Sequence, residues 1–262
     1  MVLLTDPSEP RRLIGDNTSE SVTLSIANAN NFPFGVWMLE GDDSVAGSAA
    51  NDLVYGNEGE DFISAGFGND SLFGGRGKDY LIGDAGNDYL SGGQDTDIIG
   101  GGGGNDIVLG GKGNDWLVGG NGYDTIIGGL GRDFLTGLDD NLSSLKTIGS
   151  NLYVLQDEPG VTDINNADMI VPFKVGVDRI GLAGGLTASD VVLENLTNVT
   201  VVFGLDAPQA VKNLDTLGIF EPKPLVSSGT LIKVKNSSDI LGYVPNVTPA
   251  QIQGSIISVQ GF

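Results

Sequence analysis

Aspartate recurs at every ninth position over about a hundred residues of this chain, and this period constrains the fold more than any other feature. An aliphatic residue follows two positions after each aspartate, and glycine usually stands two positions before it. So many glycines disfavour a helix, whereas the residues after each aspartate favour strands. The pattern predicts strands of about three residues between turns of about six. The recurring residues are Asp43, Asp52, Asp61, Asp70, Asp79, Asp88, Asp97, Asp106, Asp115, Asp124 and Asp133.

The repeated unit reads G-G-x-G-x-D-x-U-x, and it resembles the calcium-binding nonapeptide of RTX (repeats-in-toxin, hemolysin-type) proteins. Residues 74–82 and 110–118 are the best copies. The resemblance implies an all-β fold, a right-handed parallel β-roll in which two nonapeptides complete one coil. The aliphatic residue of each unit then points inward. Alternate aspartates stack along the same edge, about one strand spacing (~4.8 Å) apart.

Carboxylates stacked this closely repel one another unless a cation lies between them. Oxygen ligands from carboxylates and main-chain carbonyls suit Ca²⁺, so we expect the eleven aspartates to be its ligands. Six loops on one edge and five on the other leave five and four intervals, nine in all. Met38 and Leu39 replace the two glycines of the first copy, and Ser48 and Ala50 stand at glycine positions of the second. We therefore expect about six to eight calcium ions.

Each coil buries few apolar side chains, and the free energy gained by this burial is smaller than the entropy cost of ordering the backbone of the coil. We therefore expect the roll to need calcium in order to fold. A metal-free β-solenoid and a disordered Gly/Asp tract are the alternatives. The net charge of −21 argues against nucleic acid or anionic membranes as partners. The absence of cysteine and histidine excludes disulfides, Ser-His-Asp and Cys-His catalysis and His-ligated zinc. No apolar run is long enough to insert into a membrane.

Three regions follow from the pattern: residues 1–37 as an N-terminal lead and cap, 38–137 as the roll of eleven nonapeptides, and 138–262 as a β-rich C-terminal capping region. Residues 13–26 align with a repeat, in an alignment that matches Glu20 to Asp88. They form either a degenerate coil that caps the roll or an unrelated strand. Residues 28–38 break the period and are a candidate plug for that end. The region after 137 alternates apolar and polar residues, and its segment from Asp178 resembles the tail that follows RTX repeats in many bacterial, notably cyanobacterial, proteins. We expect strands at 152–156, 169–173, 191–193, 200–203, 230–234 and 256–259.

One outward-facing position of the repeat carries large apolar residues that stack one per coil. Such a row on an acidic protein either stacks on itself or is a docking surface for the C-terminal region, a cell-surface partner or a second copy. If the C-terminal region docks on this row, Phe62 and Tyr80 should be more exposed than Trp116 and Phe134, which lie nearer to that region in sequence. The row consists of Phe62, Tyr80, Ile98, Trp116 and Phe134.

Calcium binding by a secreted or cell-surface structural protein is the function that these features favour. The first residues lack the basic and apolar regions of a Sec signal, and the family resemblance implies type I secretion through an uncleaved C-terminal signal. We expect no enzymatic activity, because neither HExxH nor GxSxG occurs. The alternative is a secreted hydrolase with an appended roll and an unrecognised carboxylate-based site. A pore-forming toxin would need apolar helices before the repeats, and an ice-binding module would need threonine ladders that are absent here.

Overall fold

The computed structural model describes residues 4–5, 13–25, 35–137, 148–156, 158–203 and 223–260. The described chain is almost entirely β-structure, and its strands build two long sheets. This confirms the all-β, parallel β-roll fold. The plug proposed for residues 28–38 lies largely outside the described residues.

The first sheet contains eleven described strands, which alternate along the chain with those of the second sheet through the repeat block. In spatial order they are β1 (Leu4–Thr5), β2 (Leu13–Ile14), β4 (Val36–Glu40), β6 (Leu53–Glu58), β8 (Ser71–Arg76), β10 (Tyr89–Gln94), β12 (Ile107–Lys112), β14 (Thr125–Leu130), β17 (Leu152–Leu155), β19 (Arg179–Leu182) and β23 (Ile256–Ser258).

The second sheet contains twelve described strands, eleven on its main path and one, β16 (Ile148–Gly149), that pairs beside it with the end of β13. In spatial order the eleven strands of the main path are β3 (Ser21–Thr23), β5 (Ser44–Ala46), β7 (Phe62–Ser64), β9 (Tyr80–Ile82), β11 (Ile98–Gly103), β13 (Trp116–Gly122), β15 (Phe134–Thr136), β18 (Asp168–Ile170), β22 (Ile240–Pro245), β21 (Lys223–Val234) and β20 (Val191–Phe203).

Strand pairing has the register of an eighteen-residue coil. Tyr89 of β10 lies between Ser71 of β8 and Ile107 of β12, so its partners are one coil away on either side. All these pairs are parallel. Successive strands of the chain therefore belong to opposite sheets, and each coil adds one strand to each sheet.

The core is a single file of apolar side chains between the two sheets. Every aliphatic residue two positions after a repeat aspartate is buried, because side chains alternate along a strand and the middle residue of each strand points inward. Tyr153, Ile170 and Ile180 continue this file after the repeats. The buried repeat residues are Val45, Val54, Ile63, Leu72, Leu81, Leu90, Ile99, Val108, Leu117, Ile126 and Leu135.

Both sheets continue past residue 137, where the nine-residue period ends. β17 and β19 extend the first sheet in parallel, and β18 and β22 extend the second. An antiparallel arrangement of β20, β21 and β22 ends the second sheet. At the other end β2 and β3 pair in parallel with β4 and β5, and β1 pairs with β2 in the antiparallel sense.

Helical structure in the described residues is limited to one short helix, α1 (Pro249–Ile252), and 3-10 turns at Ile164–Asn166, Ala188–Asp190 and Gln253–Ser255. Within this described part, no helix has the length and apolar character needed to cross a membrane.

Candidate metal centre

The repeat aspartates form two ladders, one along each edge of the roll. In each interval the main-chain N–H of one aspartate donates a hydrogen bond to Oδ1 of the aspartate one coil later. Asp97 N donates to Asp115 Oδ1 at 2.9 Å, and Asp88 N to Asp106 Oδ1 at 2.9 Å. All nine intervals within the repeat block have this bond, with distances between 2.6 and 3.1 Å.

The second carboxylate oxygen is buried without a hydrogen-bond donor in eight of these aspartates: Asp43, Asp61, Asp70, Asp79, Asp88, Asp97, Asp115 and Asp133. A buried acceptor without a partner is costly, and a cation is the partner that an ionised carboxylate lacks here. The donor set therefore fits a hard cation such as Ca²⁺, which takes carboxylate and carbonyl oxygens.

Glycine in the turn allows each carboxylate to pack against the backbone. A Cβ added at Gly110 would lie 2.3 Å from Asp115 Oδ2 and 2.5 Å from the carbonyl oxygen of Gly128. Neither group is free to withdraw, since the carboxylate is fixed by the ladder and the carbonyl belongs to the backbone. The first glycine of the repeat is thus required by the close approach of these oxygens.

Burial dominates the electrostatics of the ladders. It raises the pKa of Asp79 to about 8 and that of Asp97 to about 9, and neighbouring carboxylates, including Asp115 and Asp79 around Asp97, raise them further. The pKa of Asp61 is raised to about 6, again mainly by burial. A bound divalent cation would reverse this balance, because it favours the ionised form of every carboxylate around it.

The first two copies of the repeat differ from each other. Asp43 takes part in the ladder through its N–H, and its Oδ2 is buried without a donor. Asp52 Oδ2 instead accepts the main-chain N–H of Ser48, at 2.6 Å. Where Ser48 and Ala50 replace glycines in the second copy, the Asp52 carboxylate therefore bonds within its own loop.

Ladder positions also occur outside the repeats, at residues that were not predicted to be calcium ligands. Glu20 N donates to Asp43 Oδ1 at the N-terminal end. At the other end Asp133 N donates to Asp168 Oδ1, Asp124 N to Asn151 Oδ1, and Asn151 N to Asp178 Oδ1. Each of Asn151, Asp168 and Asp178 is followed two positions later by a buried apolar residue. The polar residue and the buried residue of the motif are therefore present at these positions, although the residues just before them lack its first two glycines. That remnant is the signal that could have identified them.

Within the described residues, no three His, Cys, Asp or Glu side chains converge on a common point. The site is therefore a row of positions along two edges, in which successive loops contribute one carboxylate each. An ion in such a row takes its remaining ligands from main-chain carbonyl oxygens and water.

A parallel roll with buried carboxylate ladders defines a repetitive metal-binding solenoid. Residues 39–72, 73–108 and 109–141 match the family model of the RTX calcium-binding nonapeptide repeat (4 copies). The block is thus an array of RTX calcium-binding nonapeptide repeats, as its sequence predicts. A comparison with curated proteins found no match to the chain.

Proposed function

We propose that this chain is a structural protein that is secreted or displayed on the cell surface and folds when it meets external calcium. The observation that carries the proposal is the pair of carboxylate ladders, in which eight buried Oδ2 atoms have no donor. Without a cation these groups oppose folding, and with one they hold successive coils together.

The environment outside a cell supplies the ion that such a protein needs. Extracellular calcium modules work at roughly millimolar affinities (~10⁻⁴–10⁻³ M), well above the calcium level of the cytosol. A chain that stays unfolded inside the cell and folds outside is suited to export in an unfolded state. The resemblance to RTX proteins supports type I secretion as that route.

Circular dichroism of the full chain, recorded in excess chelator and then in millimolar calcium, tests the coupling of folding to the ion. We expect the β-signal to appear only with calcium, and magnesium at the same concentration to be much less effective because it is smaller and demands octahedral geometry. An identical spectrum in chelator would refute the proposal. Secretion is tested separately, by disrupting the export ATPase of the host and following the chain in the culture medium.

The outward-facing row has two parts with different surroundings. Phe134 packs against a buried cluster of the C-terminal region that contains Met169 and Tyr243, and its ring centroid lies 4.0 Å from that of Trp116. Phe62 and Tyr80 stack on each other, with ring centroids 5.2 Å apart, and remain partly exposed. We propose that this N-terminal part of the row binds a cell-surface partner or a second copy of the chain. Unchanged oligomer size and solubility after Tyr80→Ser would refute this.

A further inference from the structure

One of the two carboxylate ladders changes its chemistry where the repeats end. Asp124 N donates to Asn151 Oδ1 at 3.1 Å, and Asn151 N donates in turn to Asp178 Oδ1 at 3.0 Å. Asn151 is 1% exposed, so it is buried to the same degree as the repeat aspartates before it. The first ladder position after the repeats on this edge is therefore filled by a neutral amide, in the hydrogen-bonded place of an aspartate.

The Asn151 side chain also packs against the backbone as a repeat aspartate does. Gly119 is the first glycine of the Asp124 repeat, and a Cβ added there would lie 2.5 Å from Asp124 Oδ2. Gly137 stands one coil later in sequence, and a Cβ added there would clash with Asn151 Nδ2. The amide nitrogen of Asn151 thus occupies the place in which the repeat aspartates hold their second carboxylate oxygen.

Hydrogen bonding fixes the orientation of this amide. The Asp124 N–H requires an acceptor, so the atom bonded to it is the Asn151 oxygen, and Nδ2 faces Gly137. Nδ2 carries two N–H donors and no lone pair for a metal, and it is buried without a hydrogen-bond partner. An ionised carboxylate at this place would present an acceptor oxygen to a cation, whereas the amide presents donors that a cation repels.

A tyrosine lies beside the amide. In the repeats the residue two positions after the aspartate is aliphatic, whereas after Asn151 it is Tyr153, which is fully buried. The Tyr153 hydroxyl would lie 2.9 Å from the Cβ added at Gly137, so it reaches the edge of the roll next to Nδ2. Burial raises the pKa of this hydroxyl, so the group stays neutral and offers no charge to a cation.

The following ladder position, Asp178, is a carboxylate whose two oxygens both have donors. Oδ1 accepts the N–H of Asn151, and Oδ2 accepts the main-chain N–H of Lys174 at 2.6 Å. Burial raises the pKa of Asp178, and these two donors and the charge of Lys174 oppose the rise. Neither position after Asp124 on this edge therefore has the buried, donor-free oxygen that eight repeat aspartates have.

We propose that Asn151 sets the limit of calcium binding on this edge of the roll. Its amide, with the Tyr153 hydroxyl beside it, takes the ladder position of an aspartate and leaves the interval after Asp124 without an ion. The roll then continues into the C-terminal region through hydrogen bonds that need no calcium. The inference rests on the proposed function, because it assumes that the repeats bind calcium.

Asn151→Asp tests this limit, because it exchanges only the amide nitrogen for an oxygen. Native mass spectrometry of the full chain at saturating calcium should show one ion more than in the wild type. Asn105→Asp, which adds the same charge at an exposed position of the roll, is the matched control and should bind the wild-type number. Asp88→Asn makes the reverse exchange within the repeats and should lose at least one ion.

Thermal melts separate a limit on calcium binding from a purely structural amide. At the lowest calcium concentration that folds both proteins, Asn151→Asp should melt below the wild type, because a buried charge replaces a neutral group, and this deficit should shrink as calcium rises. If Asn151→Asp fails to fold, the double variant with Tyr153→Leu, which restores the aspartate and the aliphatic residue of a repeat, decides by its ion count. An ion count that stays at the wild-type number would overturn this inference alone, whereas a wild-type chain that binds no calcium would overturn the proposed function.

Discussion

Chelated protein should be unfolded in the roll at neutral pH and should regain β-structure on acidification. The perturbation is a pH change in excess chelator, and its sign follows from the aspartates. Their folded pKa values lie above the unfolded value of 3.8. The folded state therefore holds protons that the unfolded state has released, so stability is present at low pH and is lost as pH rises through the folded pKa values.

The size of the effect follows from the two most shifted groups. Asp79 and Asp97, with pKa values of about 8 and about 9, stay protonated in the calcium-free fold at neutral pH. Each then costs about 5 kcal/mol at about pH 7.4 and about 1 kcal/mol at about pH 4.5, because one pKa unit is worth about 1.4 kcal/mol. Together they cost about 10 kcal/mol at neutral pH, as much as the whole stability of a typical domain.

Circular dichroism in chelator from about pH 4 to about pH 9 measures this directly, with the same series in millimolar calcium as the control. We expect the β-signal to fall as pH rises in chelator, and in calcium to be strongest at neutral pH, where the carboxylates are ionised and bind the ion. A chelated protein whose β-signal is constant over this range would refute the reasoning from buried carboxylates.

Three substitutions, two of them paired with a control substitution, test other parts of the account. Asp115→Ala should raise the calcium midpoint for folding by a larger factor than Asp52→Ala, whose carboxylate already accepts an N–H from its own turn, and fluorescence-detected calcium titration compares them; equal effects would contradict the ladder. Gly110→Ala should destabilise the calcium-bound roll by about 1–3 kcal/mol, whereas Gly100→Ala, where nothing lies within 4 Å of the added methyl, should be close to neutral in thermal melts. Trp116→Ser should lower the melting temperature in calcium by removing a buried ring that is 7% exposed, and an unchanged melt would show that the outward-facing row contributes nothing to folding.

Much of this structure follows from the period of the sequence alone. The spacing of nine places Ile99 and its equivalents in the core and alternate aspartates on one edge, because strands alternate their side chains and two repeats complete a coil. No part of that prediction required a long-range contact to be guessed, since each coil contacts only its neighbours.

The sequence was less informative where the loops lose their glycines. Strand partners within the repeats are eighteen residues apart in sequence. Thr125, however, pairs with Leu152 and Phe134 with Met169, because longer segments separate these strands. The local sequence pattern does not predict the lengths of those segments. The strands expected at 191–193 and 200–203 are one long strand, β20, paired along its length with β21. Its continuity comes from a pairing that is remote in sequence.

A second outward-facing row was also missed. Trp37, Tyr55 and Phe73 form a row on the outside of the first sheet, with successive ring centroids 4.8 Å apart; Tyr55 and Phe73 are stacked and Trp37 is tilted. These residues occupy the last position of the strand triplet, which also points outward, whereas the row predicted from the sequence occupies the first. The ladder positions at Asp168 and Asp178 could not be predicted from the full nonapeptide motif, because the residues before them lack its first two glycines.

The most direct test of the central claim is the number of calcium ions bound by the folded chain, measured by native mass spectrometry alongside circular dichroism in one calcium titration. We expect about six to eight ions in the repeat array, taken up together with the appearance of the β-signal. Two or fewer bound ions, or folding complete before any ion binds, would contradict the account.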